Sequence, residues 1–144
     1  EVTDLLSKFI EERNISLIRN YDSVIVYGDS MKIAQVIYNF VSNAIKHSGT
    51  GTVIEINVTV NEEKVRLEVK DNGEGIPEEA LPYIWDRYYK IDKNFARSET
   101  STGLGLAIAK AILEAHGYKY GVMSKLNEGS IFYFEIEREI EIGE

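Results

Sequence analysis

Cysteine is absent from the 144-residue sequence, and runs of apolar residues are short. Without cysteine, neither a disulfide framework nor a thiolate metal site is available. No run approaches the roughly 20 apolar residues of a membrane-spanning helix, and the N-terminus does not resemble a signal peptide. We therefore expect a soluble, cytoplasmic domain without membrane contact. Because residue 1 is Glu and not Met, we also expect it to be excised from a longer chain.

Basic residues are the other scarce class, since 16 Lys and Arg stand against 24 Asp and Glu and give a net charge of -8. A protein that grips a nucleic-acid backbone draws its affinity from clustered cations, so we expect no nucleic-acid partner. A smaller polyanion would need a few local cations, backbone amides and a metal ion to overcome the overall field.

The hydrophobic fraction of 44% is that of an ordinary globular protein, and we expect residues 1–144 to form one domain. Periodicity predicts helices at residues 1–14, 29–48 and 105–116, a short helical or irregular piece at 78–90, and strands at 15–19, 24–27, 53–60, 65–69, 118–123 and 130–136. Helices and strands in this order predict an α/β fold, a two-layer sandwich of one mixed β-sheet with helices on one face.

The long helix at residues 29–48 carries a polar stripe beside its apolar face. Asn39 and Asn43 are one turn apart and point the same way, and Lys46 and His47 follow one turn later. Two aligned asparagines weaken a helix unless their amides bind something. We take the ligand to be Mg2+ with a triphosphate, to which neutral amide oxygens are suited.

Each residue of this stripe also has an ordinary explanation. Helical asparagines are usually surface amides. Lys46, in the last turn, either meets phosphate or offsets the helix dipole. No carboxylate is spaced along the sequence to pair with His47 as a general base.

A second candidate stretch, residues 71–77, follows a predicted strand. Asp71-Asn72-Gly73 alone is typical of a tight turn, but no alternating run follows it that could pair back. Gly73 and Gly75 would let the backbone lie flat against a planar ligand. A carboxylate at the end of a buried strand needs a donor, and the exocyclic amine of adenine is one.

A third stretch, Gly103-x-Gly105, opens the helix at residues 105–116. Free amides at a helix N-terminus with a glycine-rich approach form an anion site, whereas the alternative is a flexible hinge. The aperiodic, polar residues 91–101 before it predict a loop able to fold over a bound phosphate chain.

Taken in order, these stretches resemble the catalytic and ATP-binding domain of sensor histidine kinases, a branch of the superfamily that includes DNA gyrase, mismatch-repair ATPases and a heat-shock chaperone. The asparagine box matches residues 35–48, the first glycine box 71–77, the phenylalanine box 84–89 and the second glycine box 102–106. The resemblance covers nearly the whole chain and implies the family's ATP-binding sandwich, with three main helices.

The resemblance also implies a role for each matching residue. The implied nucleotide contacts are Asn43, Lys46, His47, Asp71, Gly73, Gly75, Ile76, Tyr89, Lys90, Thr102, Gly103, Leu104, Gly105, Leu106 and Ser130. Among them, Asp71 would accept from the adenine amine, and Ser130 would assist through water. Asn43 with Asn39 would hold Mg2+. The catalytic positions would be Asn39, Lys46 and Arg97, the last as a cation for the γ-phosphate.

By resemblance, the chain would donate the γ-phosphate of ATP to a histidine on a separate dimerisation domain of the same parent protein, with a response regulator downstream. Neither His47 nor His116 has the family's acceptor setting. The parent would be a larger, membrane-anchored sensor of which this chain is a cytoplasmic part. ATPase branches carry Glu where this chain has Asn39, and because an amide cannot take a proton from water, we expect very slow hydrolysis.

Two other functions share these motifs. One is a non-catalytic, nucleotide-gated interaction module, and the other is a serine kinase of the anti-sigma type. Acid-labile phosphohistidine on a partner would identify the histidine kinase, and acid-stable phosphoserine would identify the serine kinase.

Overall fold

The computed structural model describes residues 11, 15–20, 29–49, 51–86 and 104–137. In chain order, the elements are β1 (Ser16–Asn20), α1 (Ser30–His47), β2 (Val53–Val60), β3 (Lys64–Asp71), a 3-10 helix (Glu78–Tyr83), α2 (Gly105–His116), β4 (Lys119–Lys125) and β5 (Gly129–Glu137). Neither α-helix in this part of the chain has the length and apolar character that crossing a bilayer requires.

The five described strands form one sheet in the order β1-β2-β3-β5-β4. β1 pairs with β2 in parallel, and the other neighbouring pairs are antiparallel, so the predicted mixed sheet is confirmed. The parallel pair is joined through α1, as parallel neighbours require a crossover connection. At the end of the central strand β3, Asp71 lies between Ile54 of β2 and Ser130 of β5.

The core lies between the two helices and one face of the sheet. Phe40 of α1 is completely buried, with its ring centroid 5.5 Å from that of Phe132 and 6.2 Å from that of Phe134 on β5. Trp85 packs against the same group, 5.7 Å from Phe132. Side chains alternate across a strand, so every second residue of β5 reaches this core. The two-layer sandwich is thereby confirmed.

The opposite face of the sheet carries charged and aromatic side chains. Arg66 lies over the ring of Tyr133, 3.8 Å from its centroid, and is ion-paired with Glu68 at 3.0 Å and Glu135 at 3.3 Å. Lys64 approaches Oε2 of Glu135 to 2.6 Å, and this ion-pair contact holds the pKa of Glu135 below its usual range. The stacked Arg66 and the ion pairs therefore make this face of the sheet polar.

Several element boundaries differ from those predicted. α1 begins at Ser30, one residue after the predicted start, because Asp29 is its N-cap. The Oδ1 of Asp29 accepts from the backbone N–H groups of Met31 and Lys32, each at 3.1 Å. β4 extends beyond the predicted end at residue 123 as far as Lys125, because it pairs with β5 up to the turn. The predicted strand at 24–27 and most of the predicted helix at 1–14 lie outside the described residues.

Replacing Phe40 with Ala should lower the free energy of unfolding by about 3–5 kcal/mol, because a fully buried aromatic ring is lost and a cavity remains. Urea denaturation followed by circular dichroism measures this. Met31→Ala on the same helix, at a side chain that is 82% exposed, should change it by less than about 0.5 kcal/mol. Equal losses in the two variants would contradict the assignment of Phe40 to the core.

Candidate functional site

Asn39, Asn43 and His47 follow one another at four-residue intervals along α1, beside its buried face. All three side chains are half-buried, as is that of Lys46 in the last turn. The rise of an α-helix places Asn39 and His47 about 12 Å apart along the axis. α1 therefore joins two separate groups of predicted site residues, one at each end of this stripe.

The first group lies where α1 meets the N-terminus of α2. The Nδ2 atom of Asn39 is buried and has no hydrogen-bond partner in the described part of the chain. A Cβ placed on Gly105, the first residue of α2, would be 4.0 Å from Cγ of Asn39. Among the described residues, the side chain of the N-cap residue Leu104 makes no capping hydrogen bond to α2, and the first N–H groups of a helix have no partner within it. An unpaired amide beside such amides suits an anionic oxygen.

The second group surrounds Asp71, which is only 2% exposed. The backbone N–H of Gly73 donates to its Oδ1 at 2.8 Å. Burial raises the pKa of the Asp71 carboxyl, while hydrogen bonds from the backbone N–H groups of Gly73 and Ser130 oppose the rise. A carboxylate has about four acceptor positions, so two backbone donors leave it able to accept from a ligand.

Residues 72–77 are held by close backbone contacts on both sides. A Cβ on Gly73 would clash with the carbonyl oxygen of His47 at the end of α1. Gly75 has a φ of +76°, and a Cβ there would clash with the carbonyl oxygen of Lys125. These contacts give a structural reason for glycine at both positions, separate from the flat approach to a ligand expected from the sequence.

The turn between β4 and β5 completes this end of the site. Gly129, with a φ of +87°, brings the start of β5 so close that a Cβ would clash with the carbonyl oxygen of Asp71. The backbone N–H of Asn127 donates to the carbonyl of Glu74 at 2.7 Å. The strand end, residues 72–77 and the turn therefore form one packed unit.

Ser124 of β4 is a site residue that the sequence did not reveal. Its Oγ accepts from the backbone N–H of Ile76 at 2.8 Å and lies 2.8 Å from the Oγ of Ser130. The predicted strand ended one residue before it. A serine in a strand whose neighbouring inward positions are Tyr120 and Val122 was the available indication.

His47 has a carboxylate partner, contrary to the expectation from its sequence neighbours. Its Nδ1 lies 3.5 Å from Oε1 of Glu74. Burial is the main cause that lowers the pKa of His47, the charge of Lys46 adds to it, and Glu74 acts in the opposite direction. The expectation was wrong because Glu74 comes from residues 72–77, which only the folded chain brings to the end of α1.

Asn43 and Lys46 lie on α1 between Asn39 and His47, and the other predicted site residues fall into three sets. Those at the strand end are Asp71, Gly73, Gly75, Ile76 and Ser130, with His47 beside them. Those at the start of α2 are Asn39, Leu104, Gly105 and Leu106, of which Leu106 packs against the core. Tyr89, Lys90, Arg97, Thr102 and Gly103 lie outside the described residues.

The fold is an α/β sandwich of one mixed sheet with helices on one face. Within the described residues, it holds a buried acceptor at one end of a polar helix stripe and an amide without a partner at the other, an arrangement that suits a bound nucleotide. Residues 28–140 match the family described as Histidine kinase-, DNA gyrase B-, and HSP90-like ATPase, and the chain belongs to this family. The nucleotide named in the description of this family is ATP.

The similar proteins include one named as a sensor protein and one named as a sensor histidine kinase. The chain is 39% identical over 140 residues to the sensor protein KdpD of Clostridium acetobutylicum, covering 97% of this chain and 16% of KdpD. It is 41% identical over 111 residues to the sensor histidine kinase WalK of Bacillus subtilis, covering 74% of this chain and 18% of WalK. The chain thus spans less than a fifth of the length of either relative.

Solved structures agree with this placement. The catalytic domain of histidine kinase ThkA matches with a TM-score of 0.80 and 33% identity, covering 95% of this chain and 89% of that domain. ThkA in complex with the response regulator TrrA matches with a TM-score of 0.76 and 29% identity, covering 96% of this chain and 38% of that one. The resemblance to the catalytic domain of sensor histidine kinases is confirmed.

Gly75→Ala should lower the free energy of unfolding by clearly more than Gly117→Ala. Both glycines have a positive φ, +76° and +72°, but a Cβ clashes with Lys125 only at residue 75, whereas nothing lies within 4 Å at residue 117. Gly117→Ala should lose about 1–2 kcal/mol from backbone strain alone. Thermal denaturation compares the two, and equal losses would show that the contact with Lys125 does not constrain residues 72–77.

Proposed function

We propose that this chain binds Mg-ATP along α1 and donates the γ-phosphate to a histidine on a separate dimerisation and phosphoacceptor domain of the same parent protein. The observation that supports this best is Nδ2 of Asn39, which is buried without a partner in the described part of the chain and lies beside the start of α2. Asn39 lies on the same helix as His47. The carbonyl of His47, at the end of α1, contacts Gly73 in the packed unit that contains Asp71. Adenine is assigned to the Asp71 end and the phosphates to the Asn39 end.

The Asp71 end suits adenine in shape and in hydrogen bonding. The carboxylate of Asp71 accepts from backbone donors and keeps acceptor positions for the exocyclic amine of the base. Gly73 and Gly75 place no side chain at this end, and Ile76, 6% exposed, supplies an apolar contact. Ligand sites commonly combine an apolar lining with a few placed polar groups.

The Asn39 end suits phosphate and a divalent cation. Asn43 with Asn39 would hold Mg2+ through amide oxygens, which are neutral and leave the negative charge to the phosphates. The ion would supply charge neutralisation and orientation of the phosphates. Nδ2 of Asn39 and the first N–H groups of α2 would donate to phosphate oxygens. Lys46 and Arg97 would add positive charge.

In the proposed transfer, an imidazole nitrogen of the acceptor histidine forms a bond to the γ-phosphorus. The bond from that phosphorus to its bridging oxygen breaks, and ADP leaves. The chain contributes position and electrostatic stabilisation, since Asn39 cannot act as a base toward water. ThkA has been solved with its response regulator, and we assign a response regulator as the next acceptor here.

Asn39→Ala should lower the affinity for Mg-ATP by about ten- to hundredfold, the range for losing hydrogen bonds to a charged ligand. The fold should become slightly more stable, because Nδ2 has no partner to lose in the described part of the chain and Ala is the better helix former. Isothermal titration calorimetry and thermal denaturation measure the two effects.

Gln35→Ala is the matched control, since it removes an exposed amide one turn earlier on α1 and should leave affinity unchanged. Asp71→Asn should also weaken Mg-ATP binding, because it replaces an acceptor-only group by an amide with its own donor. If Asn39→Ala and Asp71→Asn both bind Mg-ATP as the unmodified chain does, the nucleotide site lies elsewhere.

With radiolabelled ATP, the chain should transfer label only when a matching histidine-containing helical domain is added, and the label on that domain should be acid-labile. Without the acceptor, ATP hydrolysis should be very slow because Asn39 offers no base. Acid-stable phosphoserine on the partner would favour the serine kinase. Tight ATP binding without any transfer would favour the nucleotide-gated module.

A further inference from the structure

One hydroxyl group, that of Ser124, joins three segments at the Asp71 end of the site. Its Oγ accepts from the backbone N–H of Ile76 at 2.8 Å. The same oxygen lies 3.0 Å from the carbonyl oxygen of Gly129 and 2.8 Å from the Oγ of Ser130. Ser124 therefore touches residues 72–77, the β4–β5 turn and the strand that faces Asp71.

The protons and lone pairs available on these groups determine the direction of each of these hydrogen bonds. A serine hydroxyl has one proton and two lone pairs. The N–H of Ile76 occupies one lone pair of Ser124, and the carbonyl of Gly129, which is only an acceptor, takes the proton. The remaining contact at 2.8 Å then requires Ser130 to donate to the second lone pair of Ser124.

The reverse direction leaves one contact unsatisfied. If Ser124 donated to Ser130, the oxygens of Ser124 and Gly129 would face each other at 3.0 Å with no proton between them. Two acceptors in contact without a proton between them repel each other, so this arrangement is unfavourable. The local geometry therefore turns the hydroxyl proton of Ser130 toward Ser124.

We propose that Ser124 is a positioning residue for nucleobase selection, which fixes the hydroxyl of Ser130 as an acceptor toward the ligand. Ser130 lies opposite Asp71 in the β3–β5 ladder, and its backbone N–H donates to the Asp71 carboxylate. This inference rests on the proposed ATP site. There, the Ser130 hydroxyl and the Asp71 carboxylate would present only lone pairs to the base. An exocyclic amine, as in adenine, donates directly to these acceptors, whereas the carbonyl that guanine carries in its place is itself an acceptor and is repelled.

Ser124→Ala should lower the ratio of ATP to GTP affinity by about tenfold, the equivalent of one hydrogen bond. The reason is that the Ser130 hydroxyl, freed from Ser124, can turn its proton toward a carbonyl. Affinities for ATP, GTP and inorganic tripolyphosphate are measured on the full chain by calorimetry. Tripolyphosphate has no base, so its affinity should not change.

Three further variants test whether the effect passes through Ser130. Ser124→Thr keeps the hydroxyl and should retain the ratio of the unmodified chain. Ser130→Ala should lower the ratio, and adding Ser124→Ala to it should have no further effect, because interacting residues are not additive. Ser48→Ala, which removes a buried hydroxyl with no partner in the described part of the chain, is the control and should leave the ratio unchanged.

Three results would overturn this role for Ser124: a ratio unchanged in Ser124→Ala, an equal loss of affinity for ATP, GTP and tripolyphosphate, or independent effects of the two serine substitutions that multiply in the double variant. Any of them would leave the proposed ATP site intact if the unmodified chain binds ATP in preference to GTP. An unmodified chain that binds no ATP would overturn the proposed function, and the role of Ser124 with it.

Discussion

Burial of the apolar face of α1 against the sheet is the constraint on which the rest of the structure depends. Phe40 packs on Phe132 and Phe134 and is fully excluded from water, and this fixes the rotation of the helix about its axis. Once that rotation is set, helix geometry also fixes the positions of Asn39 and His47. Hydrophobic packing on one side of the helix thereby places polar groups at the start of α2 and at the end of β3.

The two ends of the site are held by different physical means. At the Asp71 end, backbone donors and close glycine contacts hold a carboxylate that burial alone would favour in its neutral form. At the Asn39 end, a buried amide is left without a partner in the described residues. A protein keeps such a group only at some loss of stability, which is typical of positions reserved for a ligand.

Much of this was predictable from local patterns. The sequence patterns predicted both helices and all five described strands, and the alignment of Asn39 with Asn43 followed from helix geometry alone. Ser124 and Glu74 were not predictable in the same way. Their roles depend on contacts with Ile76 and His47, which are distant in sequence, and no spacing rule connects such pairs.

The close approach of three backbone segments at Asp71 also bears on protein engineering. Gly73, Gly75 and Gly129 each abut a carbonyl from a different part of the chain, namely those of His47, Lys125 and Asp71. Residues 71–77 transplanted into another scaffold would keep the motif but lose the surfaces against which it is shaped. The end of α1, the end of β3 and the β4–β5 hairpin would have to be transferred together to preserve this site. A recombination breakpoint should therefore not separate any of these three segments from the others.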